Sequence, residues 1–305
     1  MKSLFVFSGQ GAQFAGMGKD ICTASPAAAE LFKQADEALG WSVSDLCFNG
    51  PEEKLQESRF CQPAIYTMSC ACLAAFKEKY PEVEAAGCAG LSLGEFSALQ
   101  AAGVFSFIDG LKLVARRGEL MDAACRETNG GMASVLGGEL ELIREVCAQC
   151  DIDVANLNCP GQVVISGEAE KVDAAVAALK DKGLRKVIPL KVAGAYHSRL
   201  MAKAGEQLKT VLADTPMAAP QIPVAQNYTG TITESGVDAI KENLVSQVAG
   251  SVRWEDCVNT FLKLGADTVI EFGPGNVLSG LMRRISRDVT ALNIGTAEQL
   301  ENFSK

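Results

Sequence analysis

The stretch Glu84-Ala85-Ala86-Gly87-Cys88-Ala89-Gly90-Leu91-Ser92-Leu93-Gly94-Glu95 decides how this chain is read. Its first part, Glu84 to Ser92, is small and apolar, which suits a buried strand; Glu95 to Ala102 and Phe107 to Ala124 then carry helical periodicity. Between strand and helix lies Gly-x-Ser-x-Gly. In a nucleophile elbow the serine sits on a strained strand-to-helix turn with small flanking residues, so its hydroxyl is exposed and nearby backbone N–H groups point at a developing oxyanion. Gly90-Leu91-Ser92-Leu93-Gly94 alone is a weak signal, because such a pentapeptide recurs by chance. The strand before it and the helix after it make Ser92 a candidate nucleophile rather than a structural turn.

An elbow serine needs a base, and the chain of 305 residues holds one histidine, His197, in Ala193-Gly194-Ala195-Tyr196-His197-Ser198. A lone histidine is ordinarily a packed or surface residue; beside an elbow serine it becomes the one imidazole available, and a two-His metal site is excluded. In the hydrolase order Ser, acid, His, the histidine comes near the C-terminus, whereas a long stretch follows His197. Its orienting group is therefore open between a carboxylate, a carbonyl and an amide.

Ser3 to Ser8 reads as a short buried strand closed by Gly9-Gln10-Gly11-Ala12-Gln13. Phe14 stands where a third glycine would complete G-x-G-x-x-G, and Gly18-Lys19 is followed by Asp20 rather than Ser or Thr, so both nucleotide patterns fail. Two readings remain: a plain turn, or a loop that approaches the elbow and lends it a backbone N–H. Arg116-Arg117-Gly118 lies inside an apolar helix pattern, Leu111 to Met121. Such a pair is either solvated on a surface helix or has one arginine on the inner face, where it could hold a carboxylate bidentately. Cys147-Ala148-Gln149-Cys150 is a lone C-x-x-C without a second pair or nearby histidine, and reads as structural.

Outward from the elbow, helical periodicity fills the chain from the Gly-rich loop to about Tyr80, with Pro63 in the first turn of a long helix. After Asn129-Gly130-Gly131 the order is strand (Met132 to Leu136), helix (Leu140 to Cys150), strands Ile152 to Leu157 and Gln162 to Ser166 split by Asn158-Cys159-Pro160-Gly161, helix (Glu168 to Lys182) and strand (Arg185 to Leu190). That βαββαβ order is the ferredoxin-like arrangement and predicts an inserted subdomain over 129–191, within a discontinuous α/β domain of 1–128 and 192–305. Beyond it come a helix from Ser198 to Ala213, a surface connection with three prolines from Thr215 to Pro223, helices over Val237 to Val248 and Arg253 to Leu264, a strand (Thr268 to Phe272), and the turn Gly273-Pro274-Gly275 before a last helix.

Composition narrows the function classes. With 28 Lys+Arg against 37 Asp+Glu the net charge is −9, which repels phosphate backbones and makes nucleic acid a poor partner. Phe60 to Phe76 is uncharged but broken by Gln62, Pro63 and Thr67, so no membrane span is expected; the short run Leu4 to Phe7 is too short for a signal peptide. Eleven cysteines, an odd number without regular spacing, fit small buried hydrophobes in a reducing compartment, and the chain reads as cytoplasmic.

Six motifs in order resemble the malonyl-CoA:acyl carrier protein transacylases of fatty acid synthesis, relatives of the acyltransferase domains of polyketide synthases. They are Gly9-Gln10-Gly11-Ala12-Gln13, Gly90-Leu91-Ser92-Leu93-Gly94-Glu95, Arg116-Arg117-Gly118, Asn158-Cys159-Pro160-Gly161-Gln162, Gly194-Ala195-Tyr196-His197-Ser198 and Glu271-Phe272-Gly273-Pro274-Gly275, and they run essentially the whole chain. The resemblance implies a hydrolase-like α/β domain with a parallel sheet and a ferredoxin-like insert. It implies Ser92 as nucleophile, His197 as base, the N–H groups of Gln10 and Leu93 as oxyanion hole, Arg117 as ligand of the malonyl carboxylate, and the main-chain carbonyl of Gln247 as the group orienting the histidine. The implied reaction is ping-pong transfer from malonyl-CoA to the phosphopantetheine thiol of holo acyl carrier protein, with no metal and no bound cofactor. Arg283, Arg284 and Arg287 on the last helix are the expected basic patch for an acidic carrier. Many members carry His where this chain has Leu91 and Pro where it has Ser8. The alternatives are an acyl hydrolase or a polyketide-pathway acyltransferase on the same fold, and a non-catalytic carrier-binding module, against which Ser92, His197 and the Gly-rich loop together argue.

Overall fold

The computed structural model describes residues 2–233 and 236–304. The chain opens with β1 (Ser3–Phe7), α1 (Lys19–Ala24), α2 (Pro26–Leu39), α3 (Val43–Asn49), α4 (Glu52–Leu55) and α5 (Ser58–Lys79), then β2 (Ala85–Gly90), α6 (Gly94–Ala101) and α7 (Phe107–Glu127). Next come β3 (Gly130–Leu136), α8 (Leu140–Gln149), β4 (Asp153–Cys159), β5 (Gln162–Glu168), α9 (Ala169–Asp181) and β6 (Lys186–Pro189). A 3-10 turn (Arg199–Met201) leads into α10 (Ala202–Asp214), β7 (Val224–Gln226), β8 (Thr231–Ile232), α11 (Gly236–Ala249), α12 (Trp254–Lys263), β9 (Thr268–Phe272), α13 (Val277–Ile285), β10 (Thr290–Ile294) and α14 (Ala297–Glu301).

Two sheets result. The larger has the order β10-β9-β1-β2-β7-β8, with β10, β9, β1, β2 and β7 parallel and β8 antiparallel at one edge. β1 is central and every residue in it is buried, as expected for a strand with helices over both faces. Period-two alternation sends Phe5 and Phe7 into the core shared with α5, and Leu4 and Val6 toward Trp254 and Phe261 of α12 and Leu281 of α13. In register, Phe7 pairs with Gly90 of β2 and with Phe272 of β9. The three strands therefore end level, and the loops after them meet at their C-terminal edge, where open α/β sheets bind ligands.

The smaller sheet, β4-β5-β3-β6, is antiparallel throughout. Ala133 and Val135 face a core that includes Ile143 and Val176 from α8 and α9, while the alternate Met132 and Val164 join the main core. The smaller sheet is stitched to the larger part where Leu157 N–H donates to Val252 O and Val252 N–H to Ala155 O. No helix among the described residues is long and apolar enough to cross a membrane.

Four short elements escape the sequence reading. β7 and β8 have three and two residues, too few for a pattern to register, β10 (Thr290-Ala291-Leu292-Asn293-Ile294) lacks an apolar run such as Leu4 to Phe7 of β1, and α14 is a single five-residue turn. The helix after Gly275 is consequently not the last one. Pro63 also lies deeper than expected. α5 begins at Ser58, so the proline falls in the second turn, because Asp122 of α7 captures the N–H groups of Ser58 and Arg59 and starts the helix there.

Candidate active site

Ser92 leaves β2 with φ 53°, in the left-handed region that a non-glycine residue occupies at a cost of about 1–3 kcal/mol. The neighbouring glycines make the turn possible: a Cβ at Gly90 would strike the backbone of Gly94, and one at Gly94 would strike Phe7 O at the end of β1. Asn227, just past β7, pins the turn from outside. Its Oδ1 accepts from Ser92 N–H at 2.6 Å and its Nδ2 donates to Gly90 O at 2.8 Å.

His197 is in the same left-handed region, φ 57°, on the segment running from β6 to the 3-10 turn. Its Nε2 is 2.7 Å from Ser92 Oγ and its Nδ1 is 2.9 Å from the main-chain oxygen of Gln247 in α11. A carbonyl only accepts, so Nδ1 carries the proton and Nε2 presents its lone pair to the serine hydroxyl. The orienting group left open by the sequence is therefore a backbone carbonyl. Burial, and after it the positive charge of Arg117, lowers the imidazole pKa from 6.5 to about 4, against the pull of the Gln247 and Gly250 backbone. His197 is neutral near pH 7.

The two arginines separate. Arg116 is exposed and pairs with Glu119 at 2.7 Å, whereas Arg117 is 1% exposed on the inner face of α7. Arg117 Nη1 donates to Gln62 Oε1 at 2.7 Å; its Nη2 donates to Ser92 Oγ at 3.0 Å and Gln247 Oε1 at 2.9 Å. The guanidinium lies 5.3 Å from the ring centroid of Phe96, and its Nε has no acceptor among the described residues. Burial pulls its pKa down to about 10, with Glu95 and Tyr196 pulling the other way, so it stays cationic at neutral pH.

These groups lie at the floor of a cleft of about 790 Å³ between the strand ends and the smaller sheet, walled by Leu91, Met121, Met132, Val164 and Val192 among others. Gln10 lines it too. Gly9 approaches the elbow so closely that a Cβ there would strike Leu91 O, and Leu91 N–H donates to Phe7 O at 3.2 Å. The Gln10 amide interacts with Ser58 Oγ (3.3 Å) and Gln62 Nε2 (3.5 Å) on one face of α5, and Ser58 Oγ is 2.8 Å from Tyr196 OH. Among the described residues no acceptor takes the N–H of Gln10 or of Leu93. Ser8 serves the fold, its Oγ donating to Pro274 O at 2.9 Å. So does Glu271, whose carboxylate accepts from Leu278 N–H (3.0 Å) and Ser279 N–H (2.8 Å) at the start of α13.

The expected basic patch is only partly free. Arg284 spends its donors on Gln162 Oε1, Pro160 O and Gly161 O, tying α13 to the β4–β5 turn, and Arg287 lies past the end of α13. Cys147 is buried in the smaller sheet's core, where desolvation raises its pKa to about 12. Sequence reasoning missed Gln62, Glu95, Gln226 and Asn227 as parts of the site. Gln62 was visible as a polar residue in the uncharged stretch Phe60 to Phe76, and Glu95 as the first residue after the elbow; Gln226 and Asn227 sit on and beside the unrecognised β7.

The acyl transferase domain model matches residues 4–299. The malonyl CoA-acyl carrier protein transacylase of Bacillus subtilis is 41% identical over 98% of this chain and 95% of the relative, and that of Haemophilus influenzae 39% over 96% and 95%. The crystal structure of an acyl-carrier-protein-S-malonyltransferase from Bartonella henselae superposes with TM-score 0.94 at 38% identity, covering 99% of this chain and 98% of that one. A type II PKS acyl-carrier protein in complex with its malonyl-transacylase gives 0.93 at 36%, over 99% and 98%. With a match that takes in the elbow, Arg117, His197 and Gln247, this chain belongs to the acyl transferase domain family.

Proposed function

We propose that the chain transfers the malonyl group from malonyl-CoA to the phosphopantetheine thiol of acyl carrier protein, in fatty acid synthesis, through a malonyl ester on Ser92. The observation that carries the reading is the buried Arg117, a cation held 3.0 Å from Ser92 Oγ, where the free carboxylate of a malonyl group on that oxygen comes within reach. An acetyl group has nothing to offer it.

His197 Nε2 takes the Ser92 proton as Oγ attacks the thioester carbonyl. The N–H groups of Gln10 and Leu93 receive the oxyanion; their lack of other acceptors and the start of α6 at Gly94 support that role. The intermediate collapses, the C–S bond breaks, and CoA leaves as a thiol with the proton His197 had held. The carrier's thiol then attacks the ester while His197 takes its proton and returns one to Ser92. Arg117 orders the acyl group for an incoming thiol rather than water. The finer architecture belongs to the same reading: a hydrolase-like domain of 1–128 and 192–305 carrying a ferredoxin-like insert over 129–191, whose inner face walls the cleft.

Release of free CoA, followed with and without holo acyl carrier protein, tests the transfer. Without the carrier, release stops at one equivalent per enzyme; with it, release continues until the carrier is consumed. Sustained release without the carrier makes the chain a hydrolase instead.

A further inference from the structure

Glu95 is fully buried and has hydrogen-bond donors at both carboxylate oxygens. Oε1 accepts from Gln226 Nε2 at 2.9 Å; Oε2 accepts from Asn227 N–H at 2.8 Å and Gln247 Nε2 at 2.9 Å. Asn227 is the residue that pins the Ser92 turn, and Gln247 supplies the carbonyl that orients His197. Resting on the reading of Ser92 and His197 as nucleophile and base, we propose that Glu95 is a positioning residue, which holds the elbow serine, its base and the Arg117 guanidinium in one register by fixing Asn227 and the side-chain amide of Gln247.

The amide of Gln247 has two possible orientations. In the one observed, Nε2 donates to Glu95 Oε2 and to Ser92 O (3.0 Å), which leaves Oε1 to accept from Arg117 Nη2. The flipped amide would turn an oxygen toward Glu95 and Ser92 O, both acceptors, and an NH₂ toward the guanidinium, a donor. Glu95 thus selects the orientation that gives Arg117 an acceptor beside Ser92. A carboxylate is the one group of this size that accepts on both sides. A glutamine at this position puts an NH₂ either against Gln247 and Asn227 N–H or against Gln226, and Gln226 cannot flip freely because its Oε1 already accepts from Thr233 Oγ1 (2.6 Å) and Asn243 Nδ2 (2.9 Å). Glu95 also supplies a negative charge to a buried arginine it does not touch, with Gln247 between them.

The test is a double-mutant cycle of Glu95→Gln and Gln247→Met, the latter keeping the backbone carbonyl and removing the amide. Acylation of wild type by malonyl-CoA comes first, so that failure of the catalytic reading shows there and not in the variants. In a wild type that forms the ester, Glu95→Gln lowers kcat at least ten-fold, with KM for malonyl-CoA changing less than kcat. Gln247→Met causes a loss of similar size, and the double variant loses no more than the worse single, because Glu95 acts through that amide. A folded Glu95→Gln with kcat within two-fold of wild type overturns the proposal, as do single losses that multiply in the double variant. If Glu95→Gln does not fold, Gln247→Met decides: a folded Gln247→Met with wild-type kcat overturns it equally.

Discussion

Nη2 of Arg117 donates a 3.0 Å hydrogen bond to Oγ of Ser92. The same hydroxyl lies 2.7 Å from His197 Nε2, so the serine accepts from a cation while it donates to a neutral base. In the proposed reaction a guanidinium in that position would stabilise the serine oxygen as it loses its proton, and would then offer donors to a carboxylate carried by the acyl group. Both roles need the arginine charged, and burial does not discharge it.

Replacing Arg117 by methionine keeps much of the volume and removes every donor. We expect kcat/KM for malonyl-CoA to fall at least about 100-fold, or about 3 kcal/mol, with a smaller loss for acetyl-CoA. Rates with the two donors side by side check this. An unchanged preference for malonyl would mean that the carboxylate is read elsewhere.

With His197 as the proposed base, its depressed pKa enters the pH dependence of the rate and contributes to that of stability. The imidazole remains a base until about pH 4, so kcat/KM should show no inflection near 6.5 and should fall only toward pH 4. In the unfolded chain the same group binds its proton near 6.5. Between 6.5 and about 4 the unfolded state therefore holds more protons, and this contribution to stability is fully present above 6.5 and is lost as pH falls. At about 1.4 kcal/mol per pH unit the loss reaches about 3 kcal/mol. Urea unfolding at pH 7 and pH 4.5, compared between wild type and His197→Leu, isolates it: the variant should lose less stability than wild type on acidification.

The strain at the elbow makes Gly94→Ala a sensitive probe. Its Cβ meets the backbone oxygen of Phe7, which cannot move aside as a side-chain end would, so the strand ends must separate. We expect at least about 2 kcal/mol of destabilisation in urea and loss of acyl transfer.

Removing the outer pin of the turn gives a complementary result. Asn227→Ala leaves Ser92 N–H and Gly90 O without their buried partners, and should cost about 2–3 kcal/mol in urea unfolding.

Legibility in the sequence followed the length and regularity of each element. The elbow showed itself because its glycines are fixed by backbone clashes at Phe7 and Gly94, and the order of elements in the smaller sheet followed from alternating strand and helix periods. β7 and β8 did not, since two or three residues carry no measurable period, and β10 did not because Thr290-Ala291-Leu292-Asn293-Ile294 has no continuous apolar run like that of β1. Ser92 and His197 could be paired by scarcity, there being one histidine to choose. The choice between Arg116 and Arg117 required knowing which face of α7 turns inward. The hub at Glu95 joins α6, β7 and α11, with Glu95 and Gln247 lying 152 positions apart, which no local pattern encodes.

Intact mass after brief incubation with malonyl-CoA tests the central claim most directly. Wild type should gain the mass of one malonyl group and lose it when holo acyl carrier protein is added, while Ser92→Ala should gain nothing. An unlabelled wild type, or a labelled Ser92→Ala, would contradict the account.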